Sequence, residues 1–178
     1  MLQITIPKQK LFNDATNEFI DIKETTLQLE HSLVSLAKWE ATWNKPFQSK
    51  QRKTRAESED YVRCMTITQN VDPNVYKGLT KKNMDEIDAY MDLPMTATTF
   101  GNNQNGRRER RAITAEVIYY WMISLGIPID FQRWHLNRLM TLIRVCNEKN
   151  APNRKRSTGE MLNERRVLNE ARRRSHGR

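Results

Sequence analysis

The chain has 178 residues, enough for one domain with an appendage, and its hydrophobic fraction of 38% is concentrated before residue 149. Two cysteines make no disulfide framework, and no run approaches the roughly 18 apolar residues of a membrane span. With no secretory signal pattern at the N-terminus, the expected location is the cytoplasm in which the chain is made. Of the net charge of +9, residues 149–178 hold +7, from ten Lys and Arg against three Glu, which leaves +2 on residues 1–148. A basic stretch on a nearly neutral body points to an acidic partner or a polyanion.

In chain order, Leu2, Ile4 and Ile6 alternate up to Pro7. A second alternating stretch with Phe19, Ile20 and Ile22 follows turn-rich residues 13–17. The two are expected to pair as a short N-terminal β-hairpin within residues 1–30. From His31 to Asn44 the period changes to that of a helix, with Leu33, Leu36, Ala37, Trp39 and Trp43 apolar, His31 or Ser32 at its start, and Lys45-Pro46 as its stop. Thr54 and Glu57 have capping-box spacing and open a helix carrying Tyr61, Val62 and Met65, with Ile67 at its far end.

Asp72-Pro73 and Gly78 bracket about one helical turn. Thr80 caps a helix with Met84, Ile87 and Met91 that closes before Pro94. Residues 93–111 are aperiodic and read as loop, with a solvated charged run at 107–111. Thr114 begins the most apolar helix, so uniformly apolar from Val117 to Leu125 that it is expected to be the buried centre of a bundle. Gly126 stops it, and Pro128 with an Asp130 cap starts the next, with Phe131, Trp134, Leu139, Leu142, Ile143, Val145 and Cys146 in its stripe. Their short connection predicts an antiparallel helical hairpin. Beyond Pro152, Ser157 and Glu160 form a further capping box ahead of an arginine-rich helix over 161–173, marginal by itself. The expected fold is mainly α: a compact helical bundle over 31–148, with the hairpin before it and a basic C-terminal helical tail over 149–178.

No constellation points to catalysis. His31, His135 and His176 lie at no metal-ligand spacing, and neither C-x-x-C nor H-E-x-x-H occurs. His135 reads as a packed or surface histidine, and Cys64 and Cys146 as core thiols. Six glycines include no phosphate-binding loop, and the carboxylates of Asp85, Glu86 and Asp88 fall on a polar helical face. Trp39, Trp43, Trp121 and Trp134 all lie on apolar helical faces, which favours core packing, although aromatics also anchor interfaces. The ten cations of the tail suit non-specific phosphate contact. No helix-turn-helix, RNP or zinc-finger element accompanies them.

Four segments taken together, LQLEHSLVSLAKWEATWNKPF over 27–47, DYVRCMT over 60–66, ITAEVIYYWMI over 113–123 and WHLNRLMTLIRVC over 134–146, resemble a tail assembly chaperone of long-tailed bacteriophages. The likeness covers residues 24–148 and extends loosely to LNEARR at 168–173. It implies a non-enzymatic protein of the infected host cytoplasm, absent from the finished virion, with no cofactor. Such a protein binds the tape measure protein, keeps it soluble and helps major tail protein subunits polymerise around it; self-association and a frameshifted longer product accompany the family. A tape measure protein presents long apolar helical stripes, which a helical partner can cover. On that reading Trp39, Trp43 and Phe47 are the candidate contact residues, and Arg165, Arg166, Arg172 and Arg173 steer acidic partners. The alternative is a basic accessory protein that binds nucleic acid without sequence preference.

Overall fold

The computed structural model describes residues 1–13, 17–49, 51–100, 112–150 and 165–166. The chain is mainly helical with small antiparallel strand pairs at its N-terminus. It divides into two units, Met1–Cys146 and Asn147–Arg178. The first holds all four strands and a continuous apolar core to which strands and helices both contribute. In the second, Arg165 and Arg166 are helical and exposed; the rest of the helix expected over 161–173 lies outside the described residues, as do residues 101–111 of the expected loop.

Four strands, not two, open the chain. β1 (Leu2–Ile6) pairs antiparallel with β4 (Thr25–Leu29), placing Ile4 opposite Leu27, and β2 (Gln9–Asn13) pairs with β3 (Glu18–Ile22), placing Phe12 opposite Phe19. The expected pairing of the Leu2–Ile6 segment with residues 19–22 is therefore corrected. Pro7, which has no N–H to give a ladder, interrupts the outgoing strand only briefly. The chain resumes as β2, which meets β3 across the turn and leaves β1 to the returning β4. Period-two alternation puts Ile4, Ile6, Leu27 and Leu29 inside, each no more than 2% exposed. Gly78 marks a close approach to these strands: a Cβ there would lie 2.8 Å from Ile22 Cδ1 and 3.2 Å from Ile6 Cγ2.

The helices begin where side-chain caps allow. Ser32, Thr54 and Thr80 each form a capping box, with Ser35, Glu57 and Asn83 respectively, and open α1 (Leu33–Trp43), α2 (Arg55–Met65) and α3 (Lys81–Asp92). Asn44, at φ +52°, ends α1 in the left-handed conformation. A 3-10 turn, Pro73–Gly78, starts from an Asp72 cap. Ile67 lies past the end of α2, where its N–H donates to the Gln28 carbonyl at 2.8 Å. The N–H of Glu30 bonds the Met65 carbonyl and the N–H of Leu136 bonds the His31 carbonyl, so residues 28–31 tie the end of α2 to the start of the helix that begins at Leu136.

Two expectations fail in the second half of this unit. α4 (Ala115–Ser124) is not the buried centre: only Ala115, Ile118 and Met122 are buried, while Val117, Tyr120 and Ile123 face outward. Nor do α4 and α5 (Leu136–Asn150) form a helical hairpin, because α4 packs on α1. The connection between them is longer than expected and contains a 3-10 turn, Ile129–Arg133. Asp130 thus lies within a 3-10 turn and makes no cap for α5, and Phe131 and Trp134 stack on each other at 4.1 Å ahead of the helix instead of joining its stripe. A helix can keep only one face against a single neighbour, whatever its opposite face is made of.

Candidate interaction surface

The residues singled out around the Lys45-Pro46 break form an interior aromatic cluster. Trp39 is 1% exposed, and its indole N–H donates to the Glu57 carbonyl at 2.8 Å. Phe47 is buried, stacked on Tyr61 at 3.9 Å and edge-on to Trp39 at 5.1 Å. Trp43 is half-buried and donates from its indole to Asp60 Oδ2 at 2.9 Å. Trp39 and Phe47 are therefore not available to a partner in this conformation, and only Trp43 shows part of its ring. Helical spacing puts Trp39 and Trp43 on one face and the turn after α1 brings Phe47 to them, but amphipathicity alone does not tell a core face from a docking face. Of the arginines proposed to steer partners, Arg165 and Arg166 are exposed; Arg172 and Arg173 lie outside the described residues.

Charges close over this cluster. The Lys53 ammonium lies 4.0 Å from the Phe47 ring centroid, a cation–π contact, and partial burial holds its pKa below the usual lysine value. Glu57 accepts from Lys45 and from the Thr54 N–H. The Lys45 ammonium, with that N–H, keeps the Glu57 carboxyl below the usual carboxylate range.

A second buried group is polar. Tyr61 OH lies 2.6 Å from His31 Nδ1, and the His31 ring is 5.3 Å from that of His135. Asn137 N–H donates to His135 Nδ1, which places the proton on Nε2, 3.2 Å from the Tyr90 carbonyl oxygen. Tyr90 OH in turn donates to Glu30 at 2.7 Å. Burial, with His135 alongside, pushes the His31 pKa down to about 4, and burial lowers that of His135. Both rings are thus neutral at neutral pH, and burial raises the Tyr61 phenol so that it remains the donor. His135, read as packed or exposed, is 4% exposed.

These groups have the residue types of acid–base chemistry but not its access. His31 and His135 are buried, and the Cys64 thiol is raised by burial, which disfavours the thiolate a nucleophile needs. A cleft of about 370 Å³ borders Cys64, lined also by Ser35, Lys38, Met65 and Arg133, yet every buried side-chain polar atom among the described residues already has a partner. Among the described residues no group of three His, Cys, Asp or Glu is placed to hold a metal ion. No described helix is long and apolar enough to cross a membrane.

What remains open is apolar. Val117, Tyr120 and Ile123 recur at three-residue spacing on the outer face of α4, with Tyr120 66% and Ile123 77% exposed. Ile129, on the 3-10 turn after α4, is exposed as well. Val117, Tyr120 and Ile123 are apolar in the sequence and expected in the interior, and the structure places them outside. The signal that separates them is their phase, since Ala115, Ile118 and Met122 occupy the opposite face. Comparisons with protein-family models, with curated proteins and with solved structures find no match.

Proposed function

We propose that this chain is a tail assembly chaperone of the long-tailed bacteriophage type, which binds the tape measure protein through the outer face of α4 and keeps it soluble while major tail protein assembles around it. The observation that carries the reading is the outward row of Val117, Tyr120 and Ile123. A row at that spacing complements the apolar stripe of an amphipathic helix, and large exposed apolar groups in such a row are unusual on a surface with no partner. In this reading the helices act as a compact bundle presenting one face, the chain has no catalytic role, and its place is the host cytoplasm rather than the virion. The basic residues of 149–178 attract acidic segments of the partners, and self-association competes for the same apolar row.

The test is coexpression with a tape measure protein. The wild-type chain is expected to hold it in the supernatant, and the double substitution Tyr120→Ser with Ile123→Ser to release it into aggregates. Full solubilising power in the double variant overturns the role of α4. If neither chain solubilises the tape measure protein, and retention on DNA instead falls steeply with salt, the nucleic-acid reading takes its place.

A further inference from the structure

α4 leans on one side chain of its neighbour. Glu40, on α1, is 7% exposed, and no lysine or arginine among the described residues forms an ion pair with it. Its two oxygens are used separately: Oε1 accepts the Phe47 N–H at 2.8 Å, and Oε2 accepts the Ala115 N–H at 2.7 Å. Ala115 is the first residue of α4, and Thr114 before it makes no side-chain capping bond. The carboxylate therefore sits where the free N–H groups and the positive end of the helix dipole favour an anion. The same side chain fixes the turn that follows α1, whose last N–H, from Asn44, bonds the Glu40 carbonyl at 2.8 Å.

We infer that Glu40 is a positioning residue for docking: it tethers the start of α4 to α1 and so sets the direction in which Val117, Tyr120 and Ile123 are presented. This inference rests on the reading that the outer face of α4 binds an amphipathic helix. A carboxylate is required because both contacts are backbone donors. An amide can accept on one side only and turns its own N–H groups toward the other donor.

Two variants separate a tether from a simple helix cap. Glu40→Gln breaks one of the two contacts. Glu40→Gln with Thr114→Asp gives α4 a local cap without restoring the link to α1. Amide hydrogen exchange at Phe47, over residues 115–124 and over α2 is read beside binding of a synthetic amphipathic helix with leucines at i, i+3, i+4 and i+7. Glu40→Gln is expected to speed exchange at Phe47 or at the start of α4, whichever donor the amide deserts, while α2 stays protected, and to weaken peptide binding by about tenfold. The double variant should recover protection in α4 but not affinity. Unchanged exchange in Glu40→Gln at both Phe47 and residues 115–124 overturns the inference, since the amide must desert one of the two donors, and so does full recovery of affinity in the double variant, since Glu40 would then be only a cap. If the wild-type chain ignores the peptide, it is the docking reading that fails, and the exchange data still decide whether Glu40 seats α4.

Discussion

α1 and α4 are the two most apolar helices of the described chain, and the fold uses them in opposite ways. α1 has α2, α4 and the second 3-10 turn around it. It buries Leu33, Leu36 and Trp39 completely and takes even Ser35 and Glu40 out of solvent by bonding them. α4 is the more apolar of the two, yet it anchors on Ala115, Ile118 and Met122 and leaves Tyr120 and Ile123 in water. Burial is therefore decided by how many neighbours surround a helix rather than by its composition. A helix whose apolar residues exceed what its neighbours can cover presents the remainder to whatever binds next.

The contrast can be broken first at α1. Trp39→Ala removes a ring held by Phe47, Tyr61 and Trp43 and takes from the Glu57 carbonyl its side-chain donor. The expected loss is about 3–5 kcal/mol, the usual cost of emptying a packed aromatic site, read as a lower midpoint in urea denaturation. A loss under about 1 kcal/mol would place Trp39 outside the core after all.

A smaller effect follows from pH, because the start of α1 is locked to α5 through His31 and His135. The folded His31 pKa, about 4, lies below its ordinary 6.5. The folded state thus favours the neutral ring, and the associated stability is present above pH 6.5 and lost as pH falls toward 4. Linkage puts the loss on the order of 3 kcal/mol for His31, and the lowered His135 pKa acts in the same direction. Glu30, Tyr90 and Tyr61 face the pair, and the N-terminal ammonium lies 3.1 Å from Glu30. Urea midpoints at pH 7 and pH 4.5 read the difference; replacing His31 with Asn should flatten the profile between them.

The smallest effect on stability is expected on the outer face of α4. Tyr120→Ser with Ile123→Ser removes side chains that gain little from folding, so the unfolding free energy should change by no more than about 0.5 kcal/mol per site. The same pair is expected to abolish solubilisation of the tape measure protein. A large stability loss instead would mean that this face is covered within the chain.

Much of this architecture was written in local chemistry. Ser32, Thr54, Asp72 and Thr80 announce the starts of α1, α2, the first 3-10 turn and α3, because a side-chain oxygen two or three residues ahead of free N–H groups acts the same way in any surroundings. The capping sites and the alternation of Leu2, Ile4 and Ile6 needed no knowledge of the fold. Strand partnership did need it, because β1 meets β4 only once β2 has claimed β3. So did the choice between interior and surface for Trp39, Phe47 and Tyr120, since a ring on an apolar stripe looks the same in sequence whether the next helix or a binding partner covers it. Glu40 was invisible for a related reason: its two backbone partners, at residues 47 and 115, come together only when α1 and α4 pack. Sequence by itself determined where α1, α2 and α3 begin and which faces are apolar, since those depend on neighbours within a few residues; it misplaced the start of α5, where Asp130 falls in a 3-10 turn. Tertiary structure alone decided which of those faces remains open, since that depends on how many other elements reach it.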